Sequence, residues 1–335
     1  MSPAAETPRG ATPERPHVPV MPAEVLELVA AHPSATIVDG TFGAGGHARR
    51  IAPSLAPAGC YVGVDRDATA QPRFEAFAAE FPNLETRFVR APFPDAFRQL
   101  AEEGMSADAV ILDVGVSSMQ LDQAQRGFSY AHDAPLDMRM DQSDGEDAAE
   151  LVARLDAREL ERILREFGEE RFARRIAEAI VEQRATSPIT RTGQLVELVL
   201  GSIPAKARYA PGGHPARRVF QALRIAVNDE LGMLERGLDA ALELLAPDGR
   251  LVVMSFHSLE DRIVKRRFES WVGRCTCPPG LPVCACGTLS RAALLTRGAA
   301  RPGADEVDSN PRAASTRLRA VRRIEPPRPV GEVTR

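Results

Sequence analysis

The chain has 335 residues, of which 44% are hydrophobic and 26% are charged, and its formal net charge is −4. This composition is ordinary for a globular protein and excludes collagen-like repeats and wholesale disorder. No apolar run approaches the roughly 18 residues that a membrane span needs, and the Pro- and Ala-rich start lacks the apolar core of a signal peptide. We therefore expect a cytoplasmic protein of about two domains, with a disordered extension over residues 1–16.

The net charge conceals an uneven distribution along the chain. Residues 259–335 hold 15 Arg and Lys against 8 Asp and Glu, so the part before them is strongly acidic. Nearly all the basic residues are arginines, which bind phosphates through two parallel hydrogen bonds, although a merely solvated surface is the alternative. We expect RNA contacts from the basic helix predicted over 259–271, at Arg262, Lys265, Arg266 and Arg267.

Strand and helix patterns alternate in the first third of the chain. Apolar, β-branched runs that end in turn-like residues predict strands at 36–39, 60–65, 85–89 and 108–113. Helical segments lie at 25–31, 47–55 and 68–81. This alternation predicts βαβ units and an α/β fold, with a mostly parallel sheet and helices on both faces. Further strands are predicted at 250–256, 289–297 and 315–324.

The segment between the fourth and fifth predicted strands is too long for a simple connection. It carries helical patterns at 156–184, 192–200 and 216–245. We predict that residues 126–215 form an inserted helical domain that recognises the substrate. The α/β domain is then discontinuous and comprises residues 17–125 and 216–335.

A glycine-rich turn follows the first predicted strand, in the sequence Asp39-Gly-Thr-Phe-Gly-Ala-Gly-Gly-His47. Glycines between a strand and a helix let the backbone approach a ligand, and the helix then presents free N–H groups. Asp65 closes the second strand, where its carboxylate can accept both hydroxyls of an adenosine ribose. The pattern predicts an adenosine-type cofactor, and by itself it also fits a dinucleotide.

Three features favour S-adenosylmethionine over NAD(P). Asp39 stands directly before the turn, where it could meet the amino-acid end of the cofactor but would repel a pyrophosphate. Asp113 ends the fourth strand in front of another turn, at the edge where open α/β sheets bind ligands. The chain also shows no second βαβ half that could hold a nicotinamide.

Longer motifs resemble the RsmH (MraW) family, bacterial 16S ribosomal RNA cytosine-N4 methyltransferases that use S-adenosylmethionine. The resemblance covers the chain from about residue 17 to residue 323 and implies a class I methyltransferase fold, Rossmann-like and doubly wound, with an inserted helical domain. Besides the glycine turn, the matching stretches are Asp65-Arg-Asp67, Leu112-Asp-Val-Gly-Val-Ser-Ser118, Arg126-Gly-Phe-Ser129, Pro135-Leu-Asp-Met-Arg-Met-Asp141, Ser255-Phe-His-Ser-Leu-Glu-Asp261 and Asn310-Pro-Arg312.

The resemblance implies a cofactor site and a target. The cofactor would be held by Gly45, Gly46, His47, Asp65, Phe93, Asp113 and Gln120. In this site the two glycines admit the methionine part, Asp65 binds the ribose, and Phe93 packs on the adenine. The implied target is a cytosine in the decoding centre of 16S rRNA, at the P site of the small ribosomal subunit.

The exocyclic amine of cytosine is a poor nucleophile, because its lone pair is delocalised into the ring. An oxygen that accepts a hydrogen bond from this amine would help it to react. Asp113 is our first candidate for this role, with Asp137, Arg139, Ser255 and His257 as further candidates. Two alternatives stay open: Asp137 and Arg139 could simply pair with each other, and His257 could be a structural, hydrogen-bonded histidine.

Four of the five cysteines are clustered, at Cys275, Cys277, Cys284 and Cys286, and Cys60 lies within a predicted strand. Disulfides are uncommon in the cytoplasm, so the cluster could hold a structural zinc ion or could be a loop without metal. We expect the partner to be 16S rRNA in the small subunit, with no membrane contact, and the protein to be a monomer or homodimer. The alternatives are a catalytically silent RNA-binding or assembly factor and an NAD(P)-dependent enzyme.

Overall fold

The computed structural model describes residues 19–208, 213–273, 277, 286 and 288–329. Its centre is a seven-stranded sheet in the order β3-β2-β1-β4-β5-β7-β6. Strands β1 to β5 are parallel to one another, and β7 runs antiparallel to both β5 and β6. The strands are β1 (Thr36–Asp39), β2 (Cys60–Val64), β3 (Glu85–Val89), β4 (Ala107–Asp113), β5 (Leu245–Ser255), β6 (Leu289–Leu294) and β7 (Arg317–Pro329).

Helices cover both faces of the sheet and fill the long segment between β4 and β5. In chain order they are α1 (Pro22–Val29), α2 (Gly46–Leu55), α3 (Gln71–Glu80), α4 (Phe93–Glu102), α5 (Ser118–Asp122), α6 (Ala148–Arg154), α7 (Ala157–Glu166), α8 (Ala173–Thr186), α9 (Thr192–Ser202), α10 (Ala205–Arg208), α11 (Ala216–Asn228), α12 (Glu230–Leu244), α13 (Ser258–Val272) and α14 (Ala304–Ser309). No helix in the described ranges is both long and apolar enough to cross a membrane.

The predicted α/β fold and all seven predicted strands are confirmed. Apolar side chains of β1, β4 and β5 are buried on both faces, as parallel strands under two helical layers require. The turn-like residues 247–249 lie inside β5, where the register against β4 shifts and Asp248 has a φ of 64°. Helix α4 was not predicted, and it starts with a proline in its first turn, where the missing N–H costs nothing.

Two long helical patterns are each split into two helices. The stripe predicted over 156–184 is interrupted between α7 and α8, where Glu169 has a φ of 48°. The pattern predicted over 216–245 breaks at Asp229, which has a φ of 47° and is shared by the end of α11 and the start of α12. A hydrophobic period continues through such breaks, because each new helix presents its apolar side to the same core.

Three hydrophobic clusters stabilise this arrangement. One lies on the face covered by α1, α2 and α3, around Ile37, Ile51 and Phe77. A second lies on the opposite face under α4, α12 and α13. The third belongs to the helical region and runs along the sequence from Phe128 to Leu223. Helix α11 contributes to this third cluster, and the predicted domain boundary at residue 215 stays a prediction.

Candidate active site at the carboxyl edge of the sheet

The glycine turn after β1 shapes the first wall of the site. Gly43 and Gly45 have φ angles of 54° and 72°, a backbone region that side chains disfavour. A Cβ at Gly45 would lie 2.7 Å from the ring of Phe42, so the turn has no room for a side chain there. Helix α2 begins at Gly46, directly after β1 and the turn, so its N-terminus lies at the carboxyl edge of the sheet, where helix starts bind ligands.

Asp65 follows β2 and anchors this turn. Its two carboxylate oxygens accept the backbone N–H groups of Gly43 and Asp67, each at 2.9 Å. Burial raises the pKa of Asp65 to about 6, against the opposing effect of the two hydrogen bonds. The group is therefore ionised at neutral pH. Because each carboxylate oxygen can accept two hydrogen bonds, Asp65 keeps capacity for a pair of hydroxyls.

Asp39 has a local role in the structure. One of its oxygens accepts the N–H of Thr41 at 3.1 Å, and the other accepts the hydroxyl of Tyr61 at 2.9 Å. The side chain is buried, and burial raises its pKa to about 6. One oxygen thus binds within the turn and the other binds Tyr61 of β2, and the suggested contact of Asp39 with the amino-acid end of the cofactor stays a prediction.

Asp113 ends β4 next to the glycine turn. Its backbone N–H donates to the hydroxyl of Thr41 at 2.6 Å, which joins the two turns. Oδ2 lies 3.9 Å from Nε2 of His47, and Oδ1 is buried without a hydrogen-bond partner among the described residues. Burial, followed by repulsion from Asp39 and Glu260, raises the pKa of Asp113 to about 7. Buried polar atoms are normally bonded, so Oδ1 marks a place for a ligand donor.

Gln120 lies on α5, after the turn that follows β4. Its Oε1 accepts the N–H of Ser117 at 3.0 Å within a capping box, and its Nε2 donates to Asp67 at 2.8 Å. Gln120 thus joins the turns after β2 and β4. The second Nε2 hydrogen and the second lone pair of Oε1 remain for the cofactor contact that the resemblance implies.

Phe93 begins α4, beyond β3. Its ring lies directly over Gly237 of α12, where an added Cβ would be 1.9 Å from a ring carbon. On the sheet side, the Cβ of Phe93 lies 3.3 Å from the position that a Cβ at Gly40 would occupy. The ring is therefore held at the edge of the turn, and its packing on an adenine stays a prediction.

The structure brings Asp137 and Arg139 together as an ion pair. Oδ1 and Oδ2 of Asp137 accept from Nε and Nη2 of Arg139 at 2.9 and 3.0 Å, and Gln142 adds a further bond at 3.0 Å. Of the two readings that the sequence left open, the geometry favours mutual pairing, because each charge already has its partner.

His257 and Ser255 also have structural partners. His257 caps the start of α13, where its Nδ1 accepts the N–H of Glu260 and its Nε2 lies 3.0 Å from Oε1 of the same residue. The hydroxyl of Ser255 donates to the carbonyl of Arg317 at 3.3 Å. The structural alternative for His257 is therefore the one that the geometry favours.

The basic helix predicted to contact RNA carries less free charge than its sequence suggests. Arg262 lies 3.5 Å from Glu169, Lys265 lies 3.7 Å from Glu269, and Arg267 lies 3.4 Å from Asp239. Within the described ranges only Arg266 of the four predicted residues has no acidic partner. Glu169 and Asp239 lie in other segments of the chain, so their pairing could not be read from the sequence, whereas Lys265 and Glu269 are four residues apart on α13 itself.

The cysteine cluster falls partly outside the described residues, which include Cys277 and Cys286 but not Cys275 or Cys284. Within the described ranges, the one group of three side chains close enough to share a metal is Glu230, His257 and Glu260, none of them a cysteine. Glu230 is bound by Arg224 at 2.7 Å, and Glu260 faces His257. Nothing in the described part of the chain supports zinc.

One buried ion pair has no counterpart in the sequence-based predictions. Arg126 donates to Asp67 at 3.0 Å and to the carbonyls of Arg139 and Met140 at 3.0 and 2.9 Å. The side chains of Arg126 and Asp67 are only 4% and 9% exposed. The pair joins the turn after β2 to the segment that enters the helical region. The only signal in the sequence is the position of Arg126 within a family motif.

Comparisons with known proteins identify the family of the chain. The model of the MraW methylase family matches residues 14–324. A protein of Symbiobacterium thermophilum is 50% identical over 310 residues, covering 92% of this chain and 97% of its own. One of Geobacter sulfurreducens is 52% identical over 313 residues, covering 92% and 99%. Both are named ribosomal RNA small subunit methyltransferase H.

Among solved structures, an rRNA methylase of Streptococcus thermophilus aligns with a TM-score of 0.41 and 9% identity, covering 94% of this chain and 100% of its own. This likeness is too distant to inform the site. The family match spans most of the chain, and the mixed sheet has the strand order of class I S-adenosylmethionine-dependent methyltransferases. The resemblance drawn from the motifs is confirmed, and the chain is a methyltransferase that belongs to the MraW methylase family.

Proposed function

We propose that this chain methylates the exocyclic N4 amine of a cytosine in the decoding centre of 16S rRNA, at the P site of the small ribosomal subunit. The observation that carries the proposal is the buried, unbonded Oδ1 of Asp113 beside the glycine turn. A hydrogen-bond acceptor at this place suits an acceptor substrate that brings an N–H group. The names of the relatives supply the substrate class, small-subunit ribosomal RNA.

The residues present fit S-adenosylmethionine. The positive φ angles of Gly43 and Gly45 and the crowded space at Gly45 leave the turn bare of side chains, so that the backbone can lie against a ligand. Asp65 is ionised and can accept the ribose hydroxyls, and Phe93 provides an aromatic surface at the edge of the turn. When bound, the cofactor supplies a methyl group already activated by a positively charged sulfur.

Asp113 would act on the acceptor amine. As a carboxylate it accepts a hydrogen bond from one N–H, which draws the nitrogen lone pair out of the ring and disperses the positive charge that develops on nitrogen. Because the donor methyl is already activated, alignment of the two reactants contributes more than strong proton abstraction. The joined turns of Asp113 and Thr41 provide that alignment, since they fix the acceptor group relative to the cofactor turn.

The helical region would recognise the subunit. Residues 126–215 follow the Asp113 turn directly in sequence, and Arg126 ties their first segment to Asp67 beside the cofactor turn. An RNA bound against the helices would therefore have a fixed position relative to Asp113 and the cofactor turn. We retain this segment as the substrate-recognition domain of the proposal.

The test is methyl transfer to small subunits that lack the modification. Purified protein, labelled S-adenosylmethionine and intact subunits should place label on one 16S cytosine, at N4 when the nucleoside is analysed. Label on another base, another position of the ring or the large subunit would contradict the proposal. Cofactor binding without transfer to any subunit preparation would instead favour the catalytically silent factor.

A further inference from the structure

A polar cavity lies where β5 passes into α13, outside the glycine turn and Asp65. It has a volume of about 160 Å³, and its lining includes Phe256, His257, Ser258, Arg301, Thr316 and Arg317. In the strand order, β5 and β7 follow β4 on the side away from β1. The cavity therefore lies on the side of Asp113 opposite the glycine turn, where a substrate rather than the cofactor would approach.

The arginines around this cavity leave an excess of positive charge. Arg317 and Arg319 both donate to Asp261, so two cations share one carboxylate. Arg301 is exposed and has no acidic partner among the described residues. Its backbone is fixed, because the neighbouring Ala300 forms an antiparallel bridge with Leu318 of β7. Of the other acids nearby, Glu260 accepts the backbone N–H groups of Phe256 and His257, and Glu169 pairs with Arg262.

Hydrogen-bond donors of α13 and of Thr316 lie beside the same cavity. Helix α13 has 15 residues, and within the described ranges the backbone N–H groups of Ser258 and Leu259 in its first turn make no hydrogen bond. Thr316 lines the cavity and is 1% exposed, and its hydroxyl has no hydrogen-bond partner among the described residues. A buried hydroxyl without a partner indicates a ligand that is to be bound there.

We propose that this cavity is a subsite for a phosphodiester group of the RNA substrate, bound by Arg301, Arg317, Thr316 and the first turn of α13. Arginine forks and helix N-termini are the groups that proteins use for phosphate. Because the cavity lies on the side of Asp113 away from the glycine turn, the phosphate would belong to the RNA strand that carries the acceptor base. The assignment rests on the proposed function, and it specifies how the RNA backbone is held at that site.

Binding of the full-length protein to small subunits, measured across a series of salt concentrations, tests the subsite. Each phosphate contact contributes about 0.7 to 0.9 to the slope of log affinity against log salt. Arg301→Gln and Arg317→Gln should each weaken binding about tenfold, the double variant should reduce the slope by the share of one phosphate, and Arg301→Lys should recover part of the affinity. The matched control is Arg50→Gln, an exposed arginine of α2 without an acidic partner among the described residues.

Thr316→Val provides an independent readout. Loss of a buried, unbonded hydroxyl should leave the melting temperature unchanged or raised, while subunit binding weakens. Titration with S-adenosylhomocysteine should give wild-type affinity for all these variants, because none of the four residues lies at the glycine turn or Asp65. Inorganic phosphate should compete with the RNA at constant ionic strength in wild type but not in the double variant Arg301→Gln, Arg317→Gln.

The subsite is overturned if the arginine variants bind subunits with the same affinity and the same salt slope as Arg50→Gln. It is also overturned if inorganic phosphate binds the protein but does not compete with the RNA. Wild-type protein that binds subunits without transferring methyl groups contradicts the proposed function alone, because the slopes still decide the subsite. Wild-type protein that transfers methyl groups, with arginine variants equal to the control, contradicts the subsite alone. Failure of the wild type to bind subunits overturns both.

Discussion

Charged side chains are buried at the carboxyl edge of the sheet but exposed and paired on the helical region. At the sheet edge, burial raises the pKa of Asp39, Asp65 and Asp113 to about 6 or 7. On the helices, charges stand at the surface in pairs four residues apart, as in Arg165 with Glu161 and Arg174 with Glu178. The difference shows where the molecule tolerates unfavourable electrostatics, namely at the predicted site of chemistry.

The largest effect is expected where the two regions meet. Arg126→Gln removes one partner of a buried ion pair and leaves Asp67 with uncharged side-chain donors only, Gln120 and Thr69. We expect a loss of about 3 to 5 kcal/mol in the free energy of unfolding, because an uncompensated buried charge is costly. Urea denaturation measures this loss. Adding Asp67→Asn should recover part of it, and equal stability of the single variant and wild type would contradict the pair's role.

Asp113→Asn tests whether a buried carboxylate at the carboxyl edge of the sheet takes part in methyl transfer. The amide keeps the shape of the side chain but lacks the negative charge, so kcat for methyl transfer should fall about 10²- to 10³-fold. The affinity for S-adenosylhomocysteine should change little if Asp113 acts on the acceptor amine. Single-turnover assays on small subunits measure the rate, and calorimetry measures the affinity. A large loss of cofactor affinity at an unchanged rate would make Asp113 a cofactor ligand instead.

The raised pKa of Asp113 also predicts how stability depends on pH. The folded-state pKa, about 7, lies above the ordinary value of 3.8, so the folded chain holds this proton more tightly than the unfolded chain. The resulting stability is fully present below pH 3.8 and is lost as the pH rises through 7. Asp113→Asn should therefore match wild type near pH 4 and exceed it at pH 8, by about 1.4 kcal/mol for each unit of displacement.

The same titration should shape the activity of wild type, since methyl transfer needs the carboxylate. The rate should fall as the pH drops below about 7, and Asp113→Asn should lack this acid limb. Denaturant titrations and rate measurements across the range from pH 4 to pH 8 test both statements. A variant whose pH profiles parallel those of wild type would show that another group titrates.

A smaller effect is expected from Asp65. Asp65→Ala removes the acceptor for Gly43 and for the ribose hydroxyls, so cofactor affinity should weaken about 10- to 100-fold, since hydrogen bonds to charged groups are involved. Calorimetric titration with S-adenosylhomocysteine measures the affinity. The circular dichroism spectrum should keep its wild-type shape, and Glu75→Ala on exposed α3 is the matched loss of a carboxylate. Equal affinity in Asp65→Ala and wild type would remove Asp65 from the cofactor site.

The smallest effect is expected on the helical surface. Arg174→Ala breaks an exposed pair with Glu178, whose side chains are 74% and 54% exposed, so the free energy of unfolding should stay close to the wild-type value. The same denaturation assay used for Arg126→Gln measures it. A loss comparable to that of Arg126→Gln would remove the contrast between the two regions.

Much of the fold follows from the sequence, because local patterns are sufficient for it. The strand runs at Thr36–Asp39 and Glu85–Val89 have the bounds that were predicted, since apolar β-branched residues between turns form strands whatever their neighbours. The breaks at Glu169 and Asp229 escaped prediction, because a single residue at positive φ leaves the hydrophobic period intact.

The candidate site divides in the same way. The sequence by itself determined the family, the glycine turn and the carboxylates that end β2 and β4, because motif residues and strand ends are read along the chain. Only the tertiary structure decided that Arg126 holds Asp67, that two of the four predicted basic residues on α13 face acids of other segments, and that Arg301 and Thr316 line one cavity. Pairing and burial are properties of residues far apart in sequence, and the packing of the fold alone brings them together.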